Sequence, residues 1–243
     1  MKRISIVIPA LNEEKGISPV LAEIPVEELS SIGYETEVLV IDNGSTDGTV
    51  KLAKKTGANV IIQPVRGYGN AYKAGFANAT GDIIATGDAD LTYPFADIPG
   101  IIRKMEMENL DFINTNRLQL IDTSVMTGSH IFGNWLLTRM MKLLFNTPFL
   151  DSQSGMWVFK HNIWYKLDVV SSGMPFSQEI KIEAYTRGFH CGEVPIKYRM
   201  RAGKEKLNTI RDGIKVILNL FYKKLATMSE QIENATKDAL AFD

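Results

Sequence analysis

Short β-branched runs alternate with segments of helical period through the first half of the chain. Residues 4–9, 36–42, 59–63 and 82–86 carry the runs, and turn-forming residues bound them, which predicts four strands. Between them, Ser45 or Thr46 is placed to cap a helix starting near Asp47, Gly57 to end it, and Gly81 to close the third helix. A helix over about 95–108 then leads to a fifth strand at 111–115. This alternation predicts a mostly parallel sheet with helices on both faces. The second half is less regular: a strongly apolar helix over about 131–145, a strand near 155–160, a helix over about 177–187, a strand at 192–200 and a final helix from near Thr209. No internal repeat or low-complexity linker divides the chain, so one α/β domain is expected.

Composition narrows the classes of partner. With 243 residues, 45% of them hydrophobic, the chain is long enough for one large domain. Its 27 Lys and Arg against 28 Asp and Glu leave no excess of charge that would point to nucleic acid. The single Cys191 excludes an intrachain disulfide, and no Cys and His cluster has zinc spacing, which favours a reducing, cytoplasmic setting. Residues 4–10 follow Lys2-Arg3 as a leader segment would, but Asn12-Glu13-Glu14 cuts the run short and a first strand is the better reading. No stretch approaches the roughly 20 apolar residues that cross a bilayer. The expectation is a soluble protein or one lying on a membrane surface, with homo-oligomerisation left open.

In an open parallel sheet, ligands bind beyond the carboxyl ends of the strands. Here those ends carry Pro9-Ala10-Leu11-Asn12-Glu13, then Asp42-Asn43-Gly44-Ser45, then Arg66-Gly67-Tyr68-Gly69, then Gly87-Asp88-Ala89-Asp90. Asp42 is placed to accept hydrogen bonds from a ribose or base, which suggests a nucleotide. Each segment also has an ordinary structural reading as a cap or turn. A dinucleotide fingerprint after the first strand and a Walker Gly-Lys-Ser/Thr are both missing, so hydride transfer and P-loop chemistry are poorly supported. Asp88 and Asp90 alternate along an extended segment, so their carboxylates fall on one side. Such oxygen ligands suit Mg²⁺ or Mn²⁺ bridging a diphosphate, where the cation neutralises charge on the leaving group.

Together, residues 7–14, 40–49 and 88–94 resemble family 2 glycosyltransferases of the GT-A fold. Asn116-Arg117, residues 130–134, Asp151-Ser152-Gln153-Ser154-Gly155, Glu193-Val194-Pro195-Ile196 and Arg201 through Lys206-Leu207 resemble the branch of dolichyl-phosphate mannose and glucose synthases. The resemblance implies a single domain over 1–212. Of this, about 1–115 is a Rossmann-like nucleotide-sugar half and 116–212 an acceptor half, with 213–243 as an amphipathic helical extension. It implies that Pro9, Asn12 or Glu13, and Asp42 hold the base and ribose and that Asp88 and Asp90 handle metal and diphosphate; Ala10, Arg66 and Gly67, from their places at the strand ends, are further substrate-binding candidates. Arg201 and Lys206 would close over the phosphates. His130, Gln153 and Ser154 fall in the acceptor half's motifs. The implied reaction is inverting transfer of glucose or mannose from a UDP or GDP sugar to a polyprenyl phosphate.

A phosphate acceptor is ionised near pH 7 and needs no general base. Arg117 is then the candidate to bind it through its guanidinium fork. A glycan or other hydroxyl acceptor would instead need a base, for which Asp151 or Glu179 is available. A sugar nucleotidyltransferase and a non-catalytic nucleotide-sugar sensor are the readings from other classes. The helix over 131–145, with Phe132, Trp135 and Leu136, and the stretch 214–228 are candidates to lie in a membrane interface beside the lipid, or else to be core or oligomer contacts. Two departures bear on specificity. Thr92 stands where mannose synthases usually carry Gln, and only His130 supplies a basic side chain between Arg117 and Arg139. Without the C-terminal membrane spans of some relatives, attachment is expected to be peripheral, on the cytoplasmic face, or through a membrane-protein partner.

Overall fold

The computed structural model describes residues 1–203 and the helix Thr209–Leu240. In chain order the elements are β1 (Lys2–Ala10), α1 (Ile17–Glu23), α2 (Val26–Ser31), β2 (Tyr34–Asp42), α3 (Thr49–Lys55), β3 (Asn59–Ile62), α4 (Tyr68–Asn78) and β4 (Ile83–Thr86). A single 3₁₀ turn at Phe95–Asp97 leads into α5 (Ile98–Met107), then β5 (Phe112–Asn116), α6 (Gly128–Phe145), β6 (Trp157–Lys160), α7 (His161–Trp164), α8 (Phe176–Thr186), β7 (Cys191–Pro195) and α9 (Thr209–Leu240).

The strands form one sheet in the order β3-β2-β1-β4-β6-β5-β7. Only β6 runs against its neighbours β4 and β5. Both faces are covered, because the alternating side chains of each strand feed two cores. Ile4, Ile6 and Ile8 of β1 pack with Val20, Leu29, Ile98 and Ile102 from α1, α2 and α5. Val7, Leu39 and Ile41 face the other way, onto Tyr72 and Phe76 of α4, Met141 of α6, Ile180 of α8 and Leu220 of α9. Each such buried aliphatic or aromatic side chain contributes about 1.5–3 kcal/mol.

Several boundaries move for identifiable reasons. Neither Ser45 nor Thr46 caps α3. Gly48 is the N-cap and no side chain caps the helix; Asp47, one residue earlier, accepts from the Thr49 N–H at 3.0 Å, while Ser45 Oγ accepts from the Asn12 N–H at 2.9 Å. Helix α4 ends at Asn78, and Gly81 lies in the turn into β4, where its N–H donates to Ser5 Oγ at 2.9 Å. The strand expected over 192–200 stops at Pro195. Beyond it the chain crosses the strand ends, with Ile196 N–H on Asn116 O and Arg199 N–H on Thr92 O, both at 3.0 Å.

Candidate functional site

A crevice of about 800 Å³ opens along the edge where β1, β2, β4, β5 and β7 end. One wall comes from the segment after β1, with Pro9, Ala10, Leu11 and Glu13, and from the loop after β3, with Arg66 and Gly67. Asp88 and Asp90 form the floor after β4, and the segment after β7 brings Arg199, Met200 and Arg201 over them. The far wall holds Arg117, His130, Gln153 and Tyr198, and it continues into apolar side chains of α6 and α9.

On the floor, Asp90 is almost fully buried. Its Oδ1 accepts from the Thr92 N–H at 3.0 Å and the Thr92 hydroxyl at 2.6 Å. Its Oδ2 faces Arg201 Nη2 at 2.7 Å and carries no aligned hydrogen bond among the described residues. Burial, reinforced by the charge of Asp90, pushes the Asp88 carboxyl up to about 8. Two crowded carboxylates, one with a buried oxygen that lacks an aligned donor, are a donor set that fits a hard divalent cation whose remaining ligands come from substrate phosphate and water. No group of three or more His, Cys, Asp or Glu side chains forms a complete protein cage for a metal among the described residues.

Arg117 is held differently. Its Nε and Nη2 make a two-pronged contact with Asp151 at 2.8 and 2.9 Å, and its own N–H adds a third bond at 3.0 Å. Tyr198 packs on the guanidinium, 5.3 Å from ring centre to Cζ, and meets Tyr93 edge to face. Burial opposes ionisation of Asp151, but the adjacent guanidinium outweighs it and holds the carboxyl below its ordinary range. The cation therefore sits at the crevice wall with its counter-ion fully buried behind it.

The remaining expected residues lie away from the lining. Asn12 has φ +52° and accepts from the Thr46 N–H at 2.7 Å, tying the first two loops together. Asp42 is buried, and its carboxylate turns to the N–H groups of Gly44 and Ser45. Ser154 is buried against Thr115 Oγ1 at 2.7 Å. Asp151 is closed in by Arg117. Glu179 is fully buried too, accepting from the N–H groups of Val170 and Ser171 at 3.1 and 2.9 Å, with Lys223 Nζ at 3.6 Å. Neither candidate base thus reaches the crevice. Lys206 lies outside the described residues.

Tyr68, Tyr93 and Tyr198 were not anticipated as lining residues. Tyr93 OH accepts from the Gly155 N–H at 2.7 Å, and a β-carbon on Gly155 would stand 2.5 Å from Tyr68 OH. These contacts join residues 60–90 positions apart, so no local pattern announces them.

A mostly parallel sheet with one reversed strand, an acid pair at its crevice and a cation-bearing segment above it define a GT-A-type glycosyltransferase. The chain belongs to glycosyl transferase family 2, whose model matches residues 5–167. It is 35% identical over 214 residues to the low-salt glycan biosynthesis hexosyltransferase Agl6 of Haloferax volcanii, covering 86% of this chain and 51% of that one. The chain therefore spans about half the length of that relative. Against a dolichyl-phosphate hexose transferase of the same organism it is 30% identical over 211 residues, covering 86% of this chain and 89% of the relative. Among solved structures, glucosyl-3-phosphoglycerate synthase from Mycobacterium tuberculosis, in complex with Mn²⁺, uridine diphosphate and phosphoglyceric acid, shares the fold. Its TM-score is 0.74 at 24% identity, with 92% of this chain and 78% of that one covered.

Proposed function

We propose that this chain transfers a hexose, glucose or mannose, from a nucleotide diphosphate sugar to a polyprenyl phosphate, with inversion at the anomeric carbon. The observation that carries this reading is the position of Arg117. It lines the same crevice as the acid pair, its charge acting on Asp88, and as an apolar flank that includes Leu136 and Leu137 of α6 and Val216 and Ile217 of α9. A phosphate on an apolar tail has that same polarity profile. The 30% identity to a dolichyl-phosphate hexose transferase supports it.

In this reading Pro9, Ala10, Glu13, Arg66 and Gly67 hold the nucleoside, and Asn12 and Asp42 shape the loops that present them. Asp88 and Asp90 would hold Mg²⁺ or Mn²⁺, which when bound supplies positive charge to the departing diphosphate. Arg201, facing Asp90, approaches the diphosphate from the segment above, and Lys206 is assigned to the same anion on its charge alone. Arg117 orients the acceptor oxygen, with His130 and Gln153 beside it. The acceptor phosphate arrives ionised, so no base is required, and alignment and electrostatics do the work. A hydroxyl acceptor would require Asp151 or Glu179 to abandon buried partners, which favours the phosphate. Labelled UDP and GDP hexoses are to be incubated with dolichyl and undecaprenyl phosphate and Mn²⁺. Lipid-linked product is expected, and its absence with every donor, or product only with hydroxyl acceptors, would sink the reading.

The donor loop offers a sharper check. Gly67 has φ +147°, and a β-carbon there would stand 2.3 Å from the carbonyl oxygen of Ser172. Gly67→Ala is expected to weaken donor-nucleotide binding about tenfold, from strain of this kind. Calorimetry showing unchanged affinity would remove Gly67 from the donor site.

The same reading assigns the outer face of α6 and α9 to a membrane surface. Phe132, Trp135 and Leu143 on α6 and Leu218, Phe221, Tyr222 and Leu225 on α9 are exposed, with Lys142, Lys215 and Lys224 nearby in sequence. Among the described residues no helix is long and apolar enough to cross a membrane. An exposed apolar strip flanked by cations binds an anionic interface instead. Phe132→Ser combined with Leu218→Ser is expected to reduce co-sedimentation with phosphatidylglycerol vesicles about tenfold. Equal sedimentation of variant and native chain would remove this face from the proposal.

A further inference from the structure

One buried cation has no part in the reaction as described. Lys181, on α8, has no exposed surface, yet its Nζ donates to the carbonyl oxygens of Ser152 at 2.8 Å and Ser154 at 2.7 Å. It also lies 3.4 Å from Ser177 Oγ and 5.5 Å from the centre of the Trp157 ring. A helix position facing an apolar core is filled at less cost by methionine, since burying an amine is unfavourable unless its hydrogen bonds are made.

The two carbonyls belong to the loop that joins α6 to β6, and this loop carries the counter-ion of Arg117. Asp151 immediately precedes Ser152, and Ser152 is fixed further by Thr138, whose hydroxyl accepts from the Ser152 N–H at 3.0 Å. The charged groups acting on Lys181 are Asp151 from this loop, Arg117 from the end of β5 and Glu193 from β7. A fully charged lysine would compete with Arg117 for the same carboxylate. Burial lowers Lys181 to about 7, and in either protonation state its Nζ carries enough hydrogens for the two carbonyls, while the two-pronged contact leaves Asp151 to the guanidinium.

We infer that Lys181 is a positioning residue for the acceptor site: by clamping the Ser152 and Ser154 carbonyls it holds Asp151 in the register that aims Arg117 into the crevice. The acceptor part of this inference rests on the proposed role of Arg117. Without Lys181 the two carbonyls lose a buried donor, the loop turns to find others, and the two-pronged contact loosens. None of the Lys181 hydrogen bonds reaches β1 or β2, and the loop meets β4 only one residue further on, where the Gly155 carbonyl accepts from Thr86 Oγ1 at 3.0 Å.

Two variants separate these effects. Lys181→Met removes both donors. Lys181→Gln keeps an amide with two N–H groups on an uncharged side chain, and it serves if the methionine variant does not fold. The first readout is hydrogen exchange at Arg117 Nε–H, followed by nitrogen-15 NMR on the full chain. Exchange is expected to be about tenfold faster in Lys181→Met than in the native chain, with Lys181→Gln between them. The second is steady-state transfer, where the KM for polyprenyl phosphate is expected to rise about tenfold while the KM for the donor changes less than about twofold. Unchanged exchange in both variants overturns the inference whatever the kinetics show. Equal rises in both KM values also overturn it, since that is the signature of a merely structural lysine. Faster exchange in a protein whose native form transfers nothing to polyprenyl phosphate supports the positioning and removes the acceptor reading instead.

Discussion

Asp90→Asn is expected to lower kcat about a thousandfold, the upper range for deleting a preorganised electrostatic contact to a developing charge. The amide is isosteric and its oxygen still accepts from the Thr92 N–H, so the local turn survives. What disappears is the negative charge on the Oδ2 side, which faces Arg201 at 2.7 Å. Arg201→Met distinguishes the two partners of that oxygen. It should weaken the grip on the diphosphate yet leave stimulation by Mn²⁺ intact, whereas Asp90→Asn should lose both turnover and metal stimulation. Release of nucleoside diphosphate across a Mn²⁺ titration measures both. An Asp90→Asn enzyme within about tenfold of native, with the same metal dependence, would remove Asp90 from the diphosphate site.

Arg117→Met is expected to cost about 3–5 kcal/mol of stability, because it strands a buried carboxylate. Asp151 has no exposed surface, and it accepts two hydrogen bonds from the guanidinium. Asp151→Leu should be comparably harmful, since it strands the arginine. The double variant Arg117→Met with Asp151→Leu removes both charges and should recover most of the loss, because an apolar pair of similar volume is as stable as a buried ion pair. Transfer should stay lost in all three. Urea denaturation and the transfer assay together decide the matter. A double variant no more stable than either single shows that the charge pair is not the source of the loss. Recovered transfer in the double variant removes Arg117 from the acceptor site.

The N-terminal half was legible in the sequence because its information is local. Each strand there is followed directly by the loop at its carboxyl end, so alternation, turn residues and the acid pair could be read in order and the crevice inferred from topology alone. The parallel layers of β1, β2, β3 and β4 follow that reading closely. The C-terminal half resisted because its determinants are remote pairings. Arg117 and Asp151 are 34 positions apart and Tyr93 and Gly155 are 62 apart. Asp151 and Glu179 show why residue type alone misleads. Both are acids, Asp151 within a family-like motif, yet the fold spends one on a guanidinium and the other on two backbone N–H groups. Lys181 was invisible for the converse reason, since a lysine on a helix reads as solvated until the helix is found buried on that side.

The reversed strand β6 also governs the order in which the chain can assemble. The β3-β2-β1-β4 layers are complete within the first 86 residues, while the partner of β4 on its other side is residues 157–160. During synthesis the N-terminal layers can therefore close with one edge of β4 bare, and that edge waits for about 70 more residues to emerge. At 5–20 residues per second the wait lasts several seconds. An unpaired apolar strand is a template for mispairing over that interval. Slowing elongation between β4 and β6 should thus raise aggregation of the nascent chain, whereas slowing it after β7 should not.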